Sequence, residues 1–249
     1  MPERAVAARL ATELSMGPEL PPPFVPYGPA HVGTIALTGL AGAGLVALVR
    51  RRPGAGAGVR RALFAAIALV LAFELTIGAS EGWLTWRTFL PLHLCDAAMI
   101  LALLTLLWPR PWAAELLYFW AAAGSTLAML TPDLPWGFPR WEFFVFFGLH
   151  GLVLIAAAVL VFGLDLRPRR GAPRRAFVAT LALAAVAGTV DALLGTNFMF
   201  LRSRPLATTP LDWMGPWPVY IAVAAVVALV VFHLLALPFR REWRQAGGA

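Results

Sequence analysis

Apolar residues occupy this chain in long blocks, and polar residues gather between them. Seven blocks, each about 18–23 residues long, could cross a hydrocarbon core ~30 Å thick as α-helices. They cover residues 32–49, 62–80, 89–107, 113–130, 141–163, 176–195 and 218–238. Breaks rich in Gly, Pro and Arg separate several of them: 50–61, Trp108–Pro109–Arg110–Pro111–Trp112, 131–140 and 165–175. Such breaks join residues that interrupt helices to charges that stay in water. The pattern predicts an all-α polytopic membrane protein, a seven-transmembrane-helix bundle. Residues 1–31 are expected as an extracytoplasmic tail, 32–238 as one transmembrane domain and 239–249 as a cytoplasmic tail. In the first tail, Arg9 and Glu13 interrupt the quasi-helical stretch 5–16, and Pro21–Pro22–Pro23 follows. It lacks the continuous apolar core of a signal peptide and reads as a tail with a short surface helix.

Composition narrows the function classes. Of 249 residues, 60% are hydrophobic and 13% charged. The longest segment outside the blocks, about 31 residues, is too short for an independent soluble domain. A soluble enzyme, a nucleic-acid-binding domain and a disordered chain are therefore excluded. The net charge of +7 comes from 20 basic residues, all of them Arg. The connections after spans one, three and five and the C-terminal tail hold five, one, five and three of these. The N-terminal tail and the connections after spans two, four and six hold two, one, one and two. The positive-inside rule then sets the N-terminus outside and the C-terminus inside, as an odd number of spans requires. The Arg runs are read as topology signals and contacts with anionic lipids, so the expected partners are membrane lipids and no nucleic acid. Trp83, Trp86, Trp136, Trp141, Trp213 and Trp217 fall at or near block ends, as interfacial belts do, while Trp120 lies mid-span. The single cysteine, Cys95, excludes an intrachain disulfide and a cysteine metal cluster.

Ionisable groups inside hydrocarbon are costly, and each raises a functional question. Glu74 and Asp191 lie near the outer ends of spans two and six. His93, Cys95 and Asp96 lie in the first two turns of span three, and His150 lies nearer the middle of span five. By this topology all six share the outer half of the membrane, whereas Glu115 and His233 belong to the inner half. Two readings stand: one polar cavity opening outward, or a structural network that fixes the bundle. His93 and Asp96, three apart, share a helix face and could pair. Cys95 points about 160° away from His93 at 3.6 residues per turn. A nucleophilic Cys95 would therefore need a base from another helix, and His150 is the other outer-half histidine within a span. A buried structural cysteine is the plain alternative. No HExxH or comparable spacing occurs, so neither a metal nor another cofactor is expected. Residues 195–217 form a long outer loop in which Asn197 could reach inward to cap the cavity, or which could be an interfacial hairpin.

Several strings occur together in order: Pro91–Leu92–His93–Leu94–Cys95–Asp96, Glu115–Leu116–Leu117–Tyr118–Phe119–Trp120, Thr131–Pro132–Asp133–Leu134–Pro135, Gly195–Thr196–Asn197–Phe198–Met199–Phe200–Leu201 and Gly215–Pro216–Trp217–Pro218. Across about residues 30–240 this order resembles the YwaF family of bacterial integral membrane proteins. Phe198 stands where that family's string carries Tyr. The resemblance implies a bacterial cytoplasmic membrane as location. The YwaF family is in turn distantly similar to eukaryotic transmembrane acyltransferases that remodel ether phospholipids. That likeness implies Cys95 as nucleophile and His150 as base, with His93 and Asp96 beside them. Glu74, Asp191 and Asn197 are then candidate substrate-binding residues. The competing expectation is a small-solute transporter or ligand-binding sensor whose buried acids carry charge or protons.

Overall fold

A computed structural model describes residues 22–82, 84–85, 89–205 and 209–245. The expected surface helix at 5–16, Trp83 and Trp86 lie outside the described residues. The chain forms an all-helical bundle: α1 (Pro29–Arg51), α2 (Gly56–Glu81), α3 (Leu94–Leu107), α4 (Pro111–Leu130), α5 (Trp141–Gly163), α6 (Ala172–Leu194), α7 (Val219–Leu235) and the short α8 (Arg240–Gln245). Among the described residues, six helical stretches are long and apolar enough to cross a membrane, one of them joining α7 to α8 through the turn Leu237–Phe239. This is a multi-pass membrane protein.

The third expected span is a correction. Its helix begins at Leu94 rather than at residue 89, and its 14 residues rise about 21 Å, short of a full crossing. Phe89 closes a separate helical turn, its N–H donating to the Thr85 carbonyl at 2.8 Å, and the Leu92 N–H folds back on the Leu90 carbonyl. Pro91 supplies no N–H and disfavours helix at the residue before it, so α3 starts only after the extended cap residue His93. Within the expected C-terminal tail, Arg240–Gln245 is helical. Trp243 Nε1 donates to the Pro168 carbonyl at 2.8 Å, and Glu242 pairs with Arg167.

The most buried helices, α4 and α5, form the centre. Helices α1, α2 and α3 pack around α5, while α6 and α7 flank α4. Interior positions hold small or aliphatic residues such as Ala114, Leu117, Ala156 and Leu160, so backbones approach closely. The outer faces of α1, α2, α6 and α7 expose Leu37, Leu40, Leu69, Val178, Leu193 and Val226. Such apolar surface belongs against lipid tails, and the protein contacts lipid there. Trp120 is buried and donates its indole N–H to Thr180 Oγ1 at 2.9 Å, joining α4 to α6.

Two local features shape one end of the bundle. In α4, residues Ala121–Ser125 form a π-helical turn, a widening of the backbone ladder that recurs at functional sites. Ahead of α1, Pro23 bridges Trp136 in the loop between α4 and α5, with Gly137 N–H donating to the Pro22 carbonyl at 2.8 Å. A side chain at Gly137 would meet the Pro23 carbonyl oxygen at 2.8 Å, so the close approach requires glycine.

Candidate functional site

Four helices enclose a cavity of about 230 Å³ at the end of the bundle formed by late α2, early α3, late α4 and early α5. Glu74, Cys95, Asp96, Ser125, Glu142 and His150 supply its polar lining. Met99, Leu134, Trp141, Val145, Phe146, Leu149 and Val153 supply the apolar part. The lining is thus mixed, as in sites that take an amphipathic ligand. Among the described residues, no three His, Cys, Asp or Glu side chains converge as a metal requires.

His150 reaches the cavity from the middle of α5. Its Nδ1 lies 2.7 Å from the Phe146 carbonyl oxygen, one turn earlier. A carbonyl only accepts, so Nδ1 carries the proton and donates, and the neutral ring keeps a lone pair on Nε2. Cys95 and Asp96 enter from the first turn of α3. The Asp96 carboxylate turns back to accept the His93 backbone N–H, the acidic half of a capping box. Cys95 follows the cap by two positions, so its backbone N–H lies among the first N–H groups that have no intrahelical partner. Glu142, in the first turn of α5, pairs with Arg140 at 2.8 Å. That hydrogen bond holds the exposed Arg140 guanidinium above its usual range.

The remaining expected residues assemble elsewhere. His93 does not pair with Asp96 through its ring. Its Nδ1 accepts the Met199 N–H at 3.3 Å, and Phe198 and Phe200 pack against it at 5.3 and 5.6 Å. Asp191 is fully buried, with Oδ1 accepting Thr196 Oγ1–H at 2.7 Å and Phe198 N–H at 2.8 Å. Asn197 spends its side chain inside the loop: Nδ2 donates to Ser203, and Oδ1 accepts the N–H groups of Arg202 and Ser203. These three residues hold the turn 196–203, where Met199 and Phe200 adopt left-handed φ values of 53° and 57°. Two consecutive residues there are strained, and the surrounding hydrogen bonds hold them. No described residue of the loop 195–217 lines the cavity. The six outer-half groups therefore divide into a cavity set (Glu74, Cys95, Asp96, His150) and a loop set that includes His93 and Asp191.

Sequence reasoning missed Ser125 and Glu142. Glu142 sits at a predicted span end, where a charge needs no explanation. Ser125 carries no charge, and the string Ala121–Ala122–Ala123–Gly124–Ser125 reads as ordinary helix. At the opposite, Arg-rich end, Glu115 binds Arg175 and Arg169, and His233 donates to its own helix at Leu229. Both lie apart from the cavity.

Comparison with known proteins fits a membrane bundle. A protein of Treponema pallidum (strain Nichols), described as an uncharacterized protein, is 34% identical over 228 residues, covering 87% of this chain and 90% of that protein. No solved structure matches the chain. A family profile matches residues 26–236, a span that contains all five strings from Pro91–Asp96 to Gly215–Pro218, and it carries the name TMEM164 rather than YwaF. The chain belongs to the TMEM164 family.

Proposed function

We propose that this protein is a lipid-directed acyltransferase or acyl-ester hydrolase of the bacterial cytoplasmic membrane, with Cys95 as nucleophile and His150 as general base. One observation carries the reading: Cys95 and His150, on different helices, line the same partly apolar cavity, and His150 presents an unprotonated Nε2. A bacterial relative of nearly equal length supports the location. Attack by sulfur on an ester carbonyl passes the thiol proton to Nε2. Collapse of the tetrahedral species expels the alcohol oxygen, which takes that proton, and leaves a thioester on Cys95. Water or an acceptor hydroxyl then attacks the thioester with His150 again as base. The carboxylates and apolar walls of the cavity suit an ester at the polar boundary of a lipid.

The test is turnover of phospholipids bearing a fluorescent acyl chain by purified protein in vesicles, with mass spectrometry of Cys95. Cys95→Ala abolishes turnover and Cys95→Ser leaves a small residue; full turnover in both variants overturns the proposal. The presence of Glu74 and Asp96 in the same cavity favours a second reading, a solute transporter or sensor. Solute uptake that survives Cys95→Ala but not Glu74→Gln would replace the enzyme reading with that one.

A further inference from the structure

Serine and threonine hydroxyls within helices usually fold back onto the carbonyl one turn earlier. Thr34, Thr38, Thr76, Thr105, Thr180 and Thr189 all do so here. Ser125 does not. Its residue is 2% exposed, its side chain lines the cavity, and its hydroxyl, like that of Thr126, forms no hydrogen bond with a described residue. Ser125 closes the π-helical turn, in which the Thr126 N–H donates to the Ala121 carbonyl five residues back.

The position of this turn is defined by its neighbour. A Cβ on Gly124 would come within 3.2 Å of Leu94 Cδ2, so Gly124–Ser125 packs against the first turn of α3, beside Cys95. The side chains that share the cavity are mostly unsuited to stabilising negative charge: Glu74, Asp96 and Glu142 are acids, and His150 serves as base. Trp141 has an indole N–H but lies nine residues before His150, about 13 Å along α5. Ser125 is the neutral hydroxyl donor that lines the same cavity as Cys95.

We infer that the Ser125 hydroxyl, together with the Cys95 backbone N–H, forms the oxyanion pocket of the acyl-transfer reaction. The inference rests on the assignment of Cys95 as nucleophile and His150 as base. When sulfur bonds to the ester carbon, the carbonyl π pair moves onto oxygen, and both donors hold that oxygen without giving up their protons. The carbonyl re-forms as the alcohol leaves.

The experiment measures the rate of Cys95 thioester formation from the fluorescent phospholipid in vesicles, for wild type, Ser125→Ala and Ser125→Thr. Ser125→Ala is expected to acylate about 10²-fold more slowly at unchanged half-saturating lipid, and Ser125→Thr to recover most of the rate. Ser125→Cys, similar in volume and a weak donor, carries the same test if the alanine variant unfolds. Equal acylation rates in wild type and Ser125→Ala overturn the inference and leave the enzyme reading intact. A fall in lipid affinity alone, with the rate preserved, also overturns it. Absence of any thioester in wild type overturns both.

Discussion

Glu115 and Arg175, 60 residues apart in sequence, meet through two parallel hydrogen bonds: Nε to Oε1 at 2.8 Å and Nη2 to Oε2 at 2.9 Å. The carboxylate side chain is 4% exposed and the guanidinium 49%. The Arg169 backbone N–H adds a third donor at 3.0 Å. This pair fastens the first turn of α6 to the start of α4, and Arg169 ties in the loop that precedes α6. Its two halves are not equivalent, because only Arg175 can turn to water.

The asymmetry predicts unequal costs. Arg175→Ala leaves a buried carboxylate short of its main partner and is expected to cost about 3 kcal/mol. Glu115→Gln frees an arginine that re-solvates, and should cost about 1 kcal/mol. Thermal unfolding followed by Trp fluorescence measures both; equal costs would mean that burial of Glu115 is unimportant.

His31 makes a comparable tether at the other end. Its Nδ1 accepts the Tyr27 N–H at 2.9 Å, so Nε2 carries the proton and donates to the Met129 carbonyl at 2.7 Å. Its ring packs against Phe24, Tyr27 and Phe147. His31→Phe keeps the aromatic packing and leaves two backbone groups unpaired, at an expected cost of about 2–4 kcal/mol. A drop in melting temperature is the readout, and an unchanged melting temperature would show that the ring packing alone holds α1 to α4.

Under the proposed reaction, His150→Gln removes the proton acceptor while keeping a polar group of similar reach. Turnover should fall about 10²–10⁴-fold. The pH profile gives the sign independently. Wild-type activity rises with pH as the imidazolium loses its proton, since the charged ring cannot accept one from sulfur. The variant should lack that limb. A variant profile that retains it would assign the titration to another group.

Asp191 serves the turn and not the cavity. Its Oδ1 holds Thr196 and Phe198, and an asparagine oxygen can accept the same two bonds. Asp191→Asn is therefore expected to leave fold and acyl turnover nearly unchanged. Asp191→Ala loosens the turn by about 1–3 kcal/mol. Faster hydrogen exchange over residues 196–203 in the alanine variant alone checks this.

Most of the fold was legible because lipid imposes a length on apolar blocks, and α1, α4, α5 and α7 begin and end within a few residues of the expected limits. The expected span 89–107 breaks at residues 90–93 for a reason hydropathy does not register. Phe89 and Leu90 are as apolar as a span demands, but Pro91 governs the backbone. The candidate site was legible in depth and not in direction. Depth along the membrane groups Glu74, Cys95, Asp96, His150, His93 and Asp191 alike. Rotation about each helix, set by packing partners far along the chain, sends His93 and Asp191 to the loop. Ser125 was invisible because its distinction is a missing hydrogen bond, which exists only once α4 is seen to widen.

The shortness of α3 has a consequence for any lipid that meets Cys95. If the far end of α3, at Leu107, rests near the Arg-rich boundary, about 21 Å of helix sets the sulfur roughly 10 Å beneath the opposite edge of a ~30 Å hydrocarbon layer. Phospholipid ester groups sit near that edge. Either the lipid sinks by that distance into the bundle or the bilayer dimples toward it. Membrane thickness thereby becomes part of the reaction coordinate, and a thinner bilayer shortens the descent.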